Sequence, residues 1–247
     1  DQRGTRHVAA FALATGPQDD GTAPRLAVLD VAATSGLERV PAAERRIFEF
    51  DTRGLGQLVL AALDAGAERL VIGIGGSSTN EAGAGMLAVL GVRFLDAQGT
   101  ELPPTPAGLR ELARVDASGL DPRLGRVGVE VACDVTNPLT GPEGAAHVFA
   151  PQKGANTAQV ELLDQGLANL AHAIMQYNGR DIERIPGTGA AGGTGGGMLG
   201  LFNTTVRSGI ELVLDLAHGR EACAWADVII TGEGSIDSQT PYGKVPS

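Results

Sequence analysis

The chain has 247 residues, 43% hydrophobic and 19% charged, with a formal net charge of −10 and 36 glycines. That apolar fraction excludes a disordered chain, glycine without a strict triplet period excludes collagen, and the acid surplus argues against nucleic acid or an anionic membrane, which reward clustered Lys and Arg. No apolar run approaches the roughly 18–20 residues that span a bilayer, and the first residues lack the basic-then-apolar layout of a signal peptide, so no membrane partner and a cytoplasmic location are expected.

In chain order, residues 26–31 are rich in β-formers and lead into a turn at 34–36. A helix is predicted over 55–65, where Leu55, Leu58, Val59, Ala62 and Leu63 repeat at helical spacing and Gly66 suits the C-terminal cap. Residues 70–74 read as a buried strand that runs straight into Gly75, Gly76, Ser77, Ser78, Thr79 and Asn80, and a second helix is predicted over 81–90. The proline-rich stretch 100–106 is a loop, and 127–132 is another apolar strand, ending at Cys133 and Asp134. The longest helix is predicted from Thr157, as its N-cap, to about Met175. Residues 210–214 fit a strand or the start of a helix, and 228–231 a strand opening into Gly232-Glu233-Gly234-Ser235-Ile236-Asp237. Helices alternating with strands that end in glycine-polar turns describe an α/β protein whose ligand sits at the carboxyl ends of its strands.

Glycine is about twice its usual ~7%, and it concentrates at 73–91 and 187–200. Such clusters suit places where a ligand must approach the main chain. Three strand-end turns also carry a carboxylate or amide: Asn80 with Glu81, Asp134 with Asn137, and Glu233 with Asp237. In an open α/β sheet such turns converge on one crevice. An anionic substrate in so acidic a chain needs local help from backbone N–H groups, metal ions, or one of only two lysines, Lys153 and Lys244. Lys153, in the Pro151-Gln152-Lys153-Gly154 turn, follows the Asp134 turn closely, where a single positive charge suits phosphoryl transfer.

Several other motifs are weaker. Gly187-Thr188-Gly189-Ala190-Ala191-Gly192 fits the dinucleotide pattern GxGxxG, with Asp215 near the place of a ribose-binding acid. Pro186 directly before it, and charges alternating with single isoleucines over 180–185, are wrong for a buried parallel strand. Close backbone packing and an anion cradle are the competing readings of that run. Gly243 and Lys244 lack the rest of a phosphate-binding P-loop, no GxSxG elbow is present, and His7, His147, His172 and His218 are scattered without metal-ligand spacing. Cys133 and Cys223 sit in apolar stretches without CxxC spacing and are expected to be small core residues.

Long segments resemble the type 1 glycerate kinases. These are Gly73-Ile74-Gly75-Gly76-Ser77-Ser78-Thr79-Asn80, Ala132-Cys133-Asp134-Val135-Thr136-Asn137-Pro138-Leu139, Phe149-Ala150-Pro151-Gln152-Lys153-Gly154, residues 186–193, and 230–240 followed by Gly243-Lys244. The resemblance implies transfer of the γ-phosphoryl group of ATP to D-glycerate, at the 2-hydroxyl, with Mg²⁺. It also implies a two-domain kinase, in which an inserted mixed-sheet α/β domain interrupts a Rossmann-like domain built from both chain ends. Against that pattern the chain reads as the inserted domain over 1–217, plus the first returning strand and loop of the Rossmann-like domain over 218–247. The family usually has Asn-Asp-Gly-Gly where this chain has Asn80-Glu81-Ala82-Gly83, a carboxylate displaced by one C–C bond, roughly 1.5 Å.

On this resemblance Asp134 is the leading candidate for proton acceptor or Mg²⁺ ligand, with Asn80 and Glu81 orienting substrate or metal and Lys153 offsetting anionic charge. Gly75, Gly76, Gly189 and Gly192 would present backbone N–H groups to anionic oxygens. Ser77, Thr79, Asn137, Glu233 and Asp237 complete the expected substrate or nucleotide contacts. Two other classes stay open at this point: an NAD(P)-binding oxidoreductase using the Gly187 loop, and a non-catalytic binding or assembly fragment. The number of subunits, a homo-oligomer included, is also open.

Overall fold

The computed structural model describes residues 1–14 and 24–230. Strand β1 (Ala12–Ala14) pairs antiparallel with β2 (Leu26–Asp30), after which come the short helix α1 (Ala32–Ser35) and helix α2 (Arg53–Asp64). Strand β3 (Arg69–Gly73), helix α3 (Ala84–Val89), strand β4 (Arg93–Leu95), helix α4 (Pro106–Leu109), strand β5 (Arg114–Asp116) and strand β6 (Gly128–Ala132) follow. The chain continues through α5 (Ala145–Phe149), α6 (Thr157–Asn178), α7 (Thr194–Leu201), β7 (Thr204–Arg207), α8 (Gly209–Leu216) and α9 (Gly219–Trp225). The main sheet has the order β1-β2-β3-β6-β7, in which β2, β3, β6 and β7 are parallel. The α/β expectation and its mixed sheet therefore hold.

Register assigns the two faces of this sheet. Leu29, Ile72, Val131 and Val206 lie side by side across four strands, and the first three are buried. The neighbouring row, Val28, Val71, Glu130 and Thr205, points to the opposite face, as the period of two requires, and is far more open at its ends. On that second face Glu130 accepts from Arg69 of β3 and Arg207 of β7, so charge joins strands where apolar cover is thin. Helix α2 covers the first face with Leu55, Leu58, Val59, Ala62 and Leu63, the stripe read from the sequence. Truncating fully buried Leu55 to Ala would cost about 2–5 kcal/mol.

Three expectations about boundaries change. Helix α6 is capped by Asn156, not Thr157: the Gln159 amide donates to Asn156 Oδ1 at 2.9 Å while Gln159 Oε1 accepts from the Asn156 amide at 2.9 Å. The helix expected over 81–90 begins only at Ala84, because Ala82 (φ 52°) and Gly83 (φ 75°) are left-handed. Residues 210–214 are helical, within α8, and residues 228–230 lie in no strand and are mostly exposed. Thr231, Glu233, Asp237 and Lys244 fall outside the described residues. Cys133 is half-buried and Cys223 exposed, which corrects the expectation that both are core residues.

Candidate active-site cleft

The parallel strands deliver their carboxyl ends to one edge. There, Gly75, Gly76 and Ser77 after β3 face Cys133, Asp134 and Val135 after β6 across a cleft of about 400 Å³, closed by Phe149, Gln152, Lys153, Ala190 and Ala191. The segments after β3 and β6 thus meet here, but of Asn80, Glu81, Asp134 and Asn137, expected to converge, only Asp134 lines the cleft. A larger hollow of about 790 Å³, between residues 1–9 and the start of α2, contains none of the predicted site residues.

The amides of Gly75, Gly76 and Ser77 reach no backbone acceptor among the described residues. Gly76 is left-handed (φ 68°), and a turn of this kind aims successive N–H groups into one concavity suited to an anion. The Gly76 carbonyl accepts from the Leu37 amide at 2.8 Å and the Ser78 amide donates to the Ser35 carbonyl at 2.8 Å, so the cradle is clamped on both sides. Lys153 closes it from below. Lys153 is 3% exposed and its Nζ donates to Ser77 Oγ at 2.9 Å and to the Thr79 carbonyl at 2.7 Å. Burial lowers the amine to about 7, against the charge of Glu81, which favours the ammonium.

Asp134 stands exposed at the opposite rim. Its Oδ1 accepts from the Ser208 hydroxyl at 2.9 Å and from the Gly209 amide at 2.8 Å, fixing it at the N-terminus of α8, where a carboxylate is favoured. Ser208 and Gly209 were missed in the sequence; a serine before an apolar helical run was the available signal.

Other predicted residues are placed elsewhere. Glu81, expected to contact metal, is fully enclosed and does not line the cleft. Burial raises its carboxyl to about 8 and nearby Asp51 adds to the rise; the Thr52 hydroxyl and the Ala84 and Gly85 amides oppose it without completing a hydrogen bond to either oxygen. Asn80 is buried, with Nδ2 donating to the Ala145 carbonyl at 3.4 Å and Oδ1 unpartnered. The Thr79 hydroxyl is likewise enclosed, so this residue's link to the cleft is its carbonyl on Lys153. Asn137, partly exposed, donates to the Glu143 carbonyl at 2.7 Å and is absent from the cleft lining.

The second glycine cluster is a packing device. The Gly189 amide already donates to the Asn137 carbonyl at 3.0 Å, and a Cβ at Gly192 would lie 2.1 Å from the Thr79 carbonyl oxygen. Gly192 in turn accepts from the Ala82 amide at 2.9 Å. Gly189 therefore packs against residues 137–138 with its amide already used, Gly192 packs against the 79–82 turn, and neither lines the cleft where they were expected to meet an anion. No strand leads directly into Gly187, and Asp215, on α8, pairs with Arg207 of β7, so the dinucleotide reading loses its structural context.

Residues 2–247 match the model of the glycerate kinase family. Over 222 residues the chain is 50% identical to a glycerate kinase of Bacillus subtilis (strain 168) and 45% identical to a glycerate 2-kinase of Escherichia coli (strain K12), in each case covering 90% of this chain and 58% of the relative. A crystal structure assigned as glycerate kinase 2 of Salmonella typhimurium LT2 superimposes with a TM-score of 0.82 at 49% identity, covering 90% of this chain and 59% of that one. The chain thus spans less than two thirds of the length of these relatives, and it belongs to the glycerate kinase family.

Proposed function

We propose that this chain carries the phosphoryl-binding cleft of an enzyme that moves the γ-phosphoryl group of ATP to D-glycerate, at the 2-hydroxyl. The observation that carries the reading is the donor set beside Lys153, three successive amides with no backbone acceptor among the described residues at the carboxyl end of a parallel strand. Phosphoryl transfer is catalysed mainly by positioning and by neutralising charge on the equatorial oxygens. Gly75, Gly76 and Ser77 supply fixed N–H dipoles for that purpose, and Lys153 supplies a charge that burial makes readily switchable. Asp134, held by Ser208 and Gly209, is oriented to accept the proton of the attacking hydroxyl.

A magnesium ion fits the rim in a limited sense. Mg²⁺ is commonly held by one or two carboxylates together with substrate phosphates, and Asp134 is an exposed carboxylate beside the anion cradle. Among the described residues no group of three or more His, Cys, Asp or Glu could form an all-protein site. Bound there, the ion would neutralise phosphate charge; enclosed Glu81 would not reach it.

The division at 217/218 is supported by left-handed His218 (φ 50°), which breaks α8 from α9. The reaction's substrates suit a cytoplasmic enzyme, and among the described residues no helix is long and apolar enough to cross a membrane. A coupled ADP-release assay on the protein from its whole reading frame tests the function. ADP formation with D-glycerate, well above that with L-glycerate or no acceptor, supports it; equal rates in all three arms overturn it.

A further inference from the structure

Ser77 has a setting that the kinase reading does not use. Its hydroxyl lies 2.9 Å from Lys153 Nζ, and both residues are buried at the floor of the cleft yet belong to its lining. The other Lys153 contact, to the Thr79 carbonyl at 2.7 Å, can only be donated by nitrogen, because a carbonyl has no hydrogen to give. As placed, Nζ donates to both oxygens; after loss of one proton the amine keeps an N–H for the Thr79 carbonyl and can turn its lone pair toward the Ser77 hydroxyl across the same 2.9 Å. Gly75, Gly76 and Ser77, whose amides reach no backbone acceptor among the described residues, line the same cleft. Nucleophile, base and oxyanion donors are the three parts of a serine acyl-transfer site, and lysine replaces histidine as the base in known variants.

We propose that Ser77 is a covalent nucleophile, activated by Lys153, that accepts a small acyl group from an ester or mixed anhydride with a good leaving group. Ser77 Oγ attacks the acyl carbon and forms the new C–O bond while its proton passes to Lys153 Nζ. Negative charge on the carbonyl oxygen is taken by the cradle amides. The bond to the leaving group then breaks, the leaving group departs with the proton from Lys153, and Ser77 is left as its acyl ester. Atoms balance without an oxidant or a further reactant. A cleft of about 400 Å³ admits a small acyl donor. Burial favours the uncharged amine near neutral pH, against Glu81 behind it, while Asp134 faces the cleft from the far rim and Asp51 acts through Glu81. The proposal shares the cradle amides and Lys153 with the kinase reading but adds the Ser77 hydroxyl, and its readout, an acyl group on Ser77, needs neither ATP nor glycerate.

The test uses p-nitrophenyl acetate with the purified chain. A burst of about one equivalent of p-nitrophenolate is expected, with the acetyl group on the peptide carrying Ser77, and with a rate that rises with pH through the neutral range. S77A should lose the burst, and K153M should slow it by about 10²–10⁴-fold, the usual share of a general base. Because K153M could disturb folding, S77C gives a second reading that keeps the lysine. Its thiol should be alkylated by iodoacetamide with a midpoint below the ordinary ~8.5 of cysteine. Acetyl found on Lys153 or elsewhere with Ser77 bare, a burst unchanged in S77A, no burst, or an ordinary thiol midpoint in S77C would each overturn the proposal.

Discussion

Lys153 Nζ donates to the Thr79 carbonyl at 2.7 Å, which ties the loop after α5 to the turn after β3, two residues before the enclosed Glu81. One contact thus joins the floor of the cleft to a buried carboxyl. Replacing Lys153 by Met leaves the Thr79 carbonyl without this donor, a loss of about 1–3 kcal/mol for a buried group. It also removes the amine that can carry positive charge in the cleft. Urea unfolding and a nucleotide titration on K153M should show both effects, whereas a role confined to structure would leave nucleotide affinity untouched in the folded fraction.

Stability should depend on pH through Glu81. Burial raises its carboxyl from 4.5 to about 8, so between those values the folded protein keeps a proton that the unfolded chain has released, and its contribution falls as pH rises. Lys153, lowered from 10.5 to about 7, acts in the opposite sense between those values, because there the unfolded chain holds the extra proton and stability recovers with rising pH. In E81Q the falling limb should vanish. Unfolding free energies at pH 5 and pH 8 should differ by at least ~1 kcal/mol more in the wild type than in E81Q, the scale of one pKa unit.

Helix α7 offers a paired packing test. A Cβ at Gly197 would lie 1.9 Å from the Ala82 carbonyl oxygen, whereas at Gly195 the nearest atom is 3.4 Å away. G197A should therefore cost about 1–3 kcal/mol or more by overpacking. G195A should be neutral or stabilising by up to ~1 kcal/mol, the helix preference for Ala over Gly. Melting temperatures of the two variants check the order, and a reversed order would contradict the interlock of α7 with the 79–82 turn.

Asp134 separates chemistry from folding. In D134N the amide oxygen can still accept from Ser208 and Gly209, so the start of α8 should survive. Turnover should fall by about 10²–10⁴-fold if the carboxylate accepts a proton or holds the metal. Unchanged melting with lost ADP release is the expected pair of results, and near-normal ADP release contradicts the assignment.

Strands β2, β3 and β6 and helix α2 were legible because their burial leaves apolar patterns, as at Leu70 to Ile74 and Leu55 to Leu63. Strand β7 was missed because Thr204 to Arg207 is half-exposed and lacks an apolar run, and β4 and β5 because three residues each, with Arg93, Arg114 and Asp116 outward, leave no pattern. Glycine positions were legible but their use was not. Gly76 supplies a left-handed turn facing a cleft, while Gly192 admits the Thr79 carbonyl against its own backbone, and the same letter encodes both. The role of Glu81 was misread for a related reason: a carboxylate after Asn80 looks solvent-directed until left-handed Ala82 and Gly83 turn the chain inward.

The most direct test is ³¹P NMR of the product made by the protein from its whole reading frame, given ATP, Mg²⁺ and D-glycerate. The account predicts a new signal of 2-phosphoglycerate that grows as ADP accumulates. Formation of 3-phosphoglycerate would contradict the assigned hydroxyl, and ATP left unchanged beside D-glycerate would contradict the phosphotransferase itself.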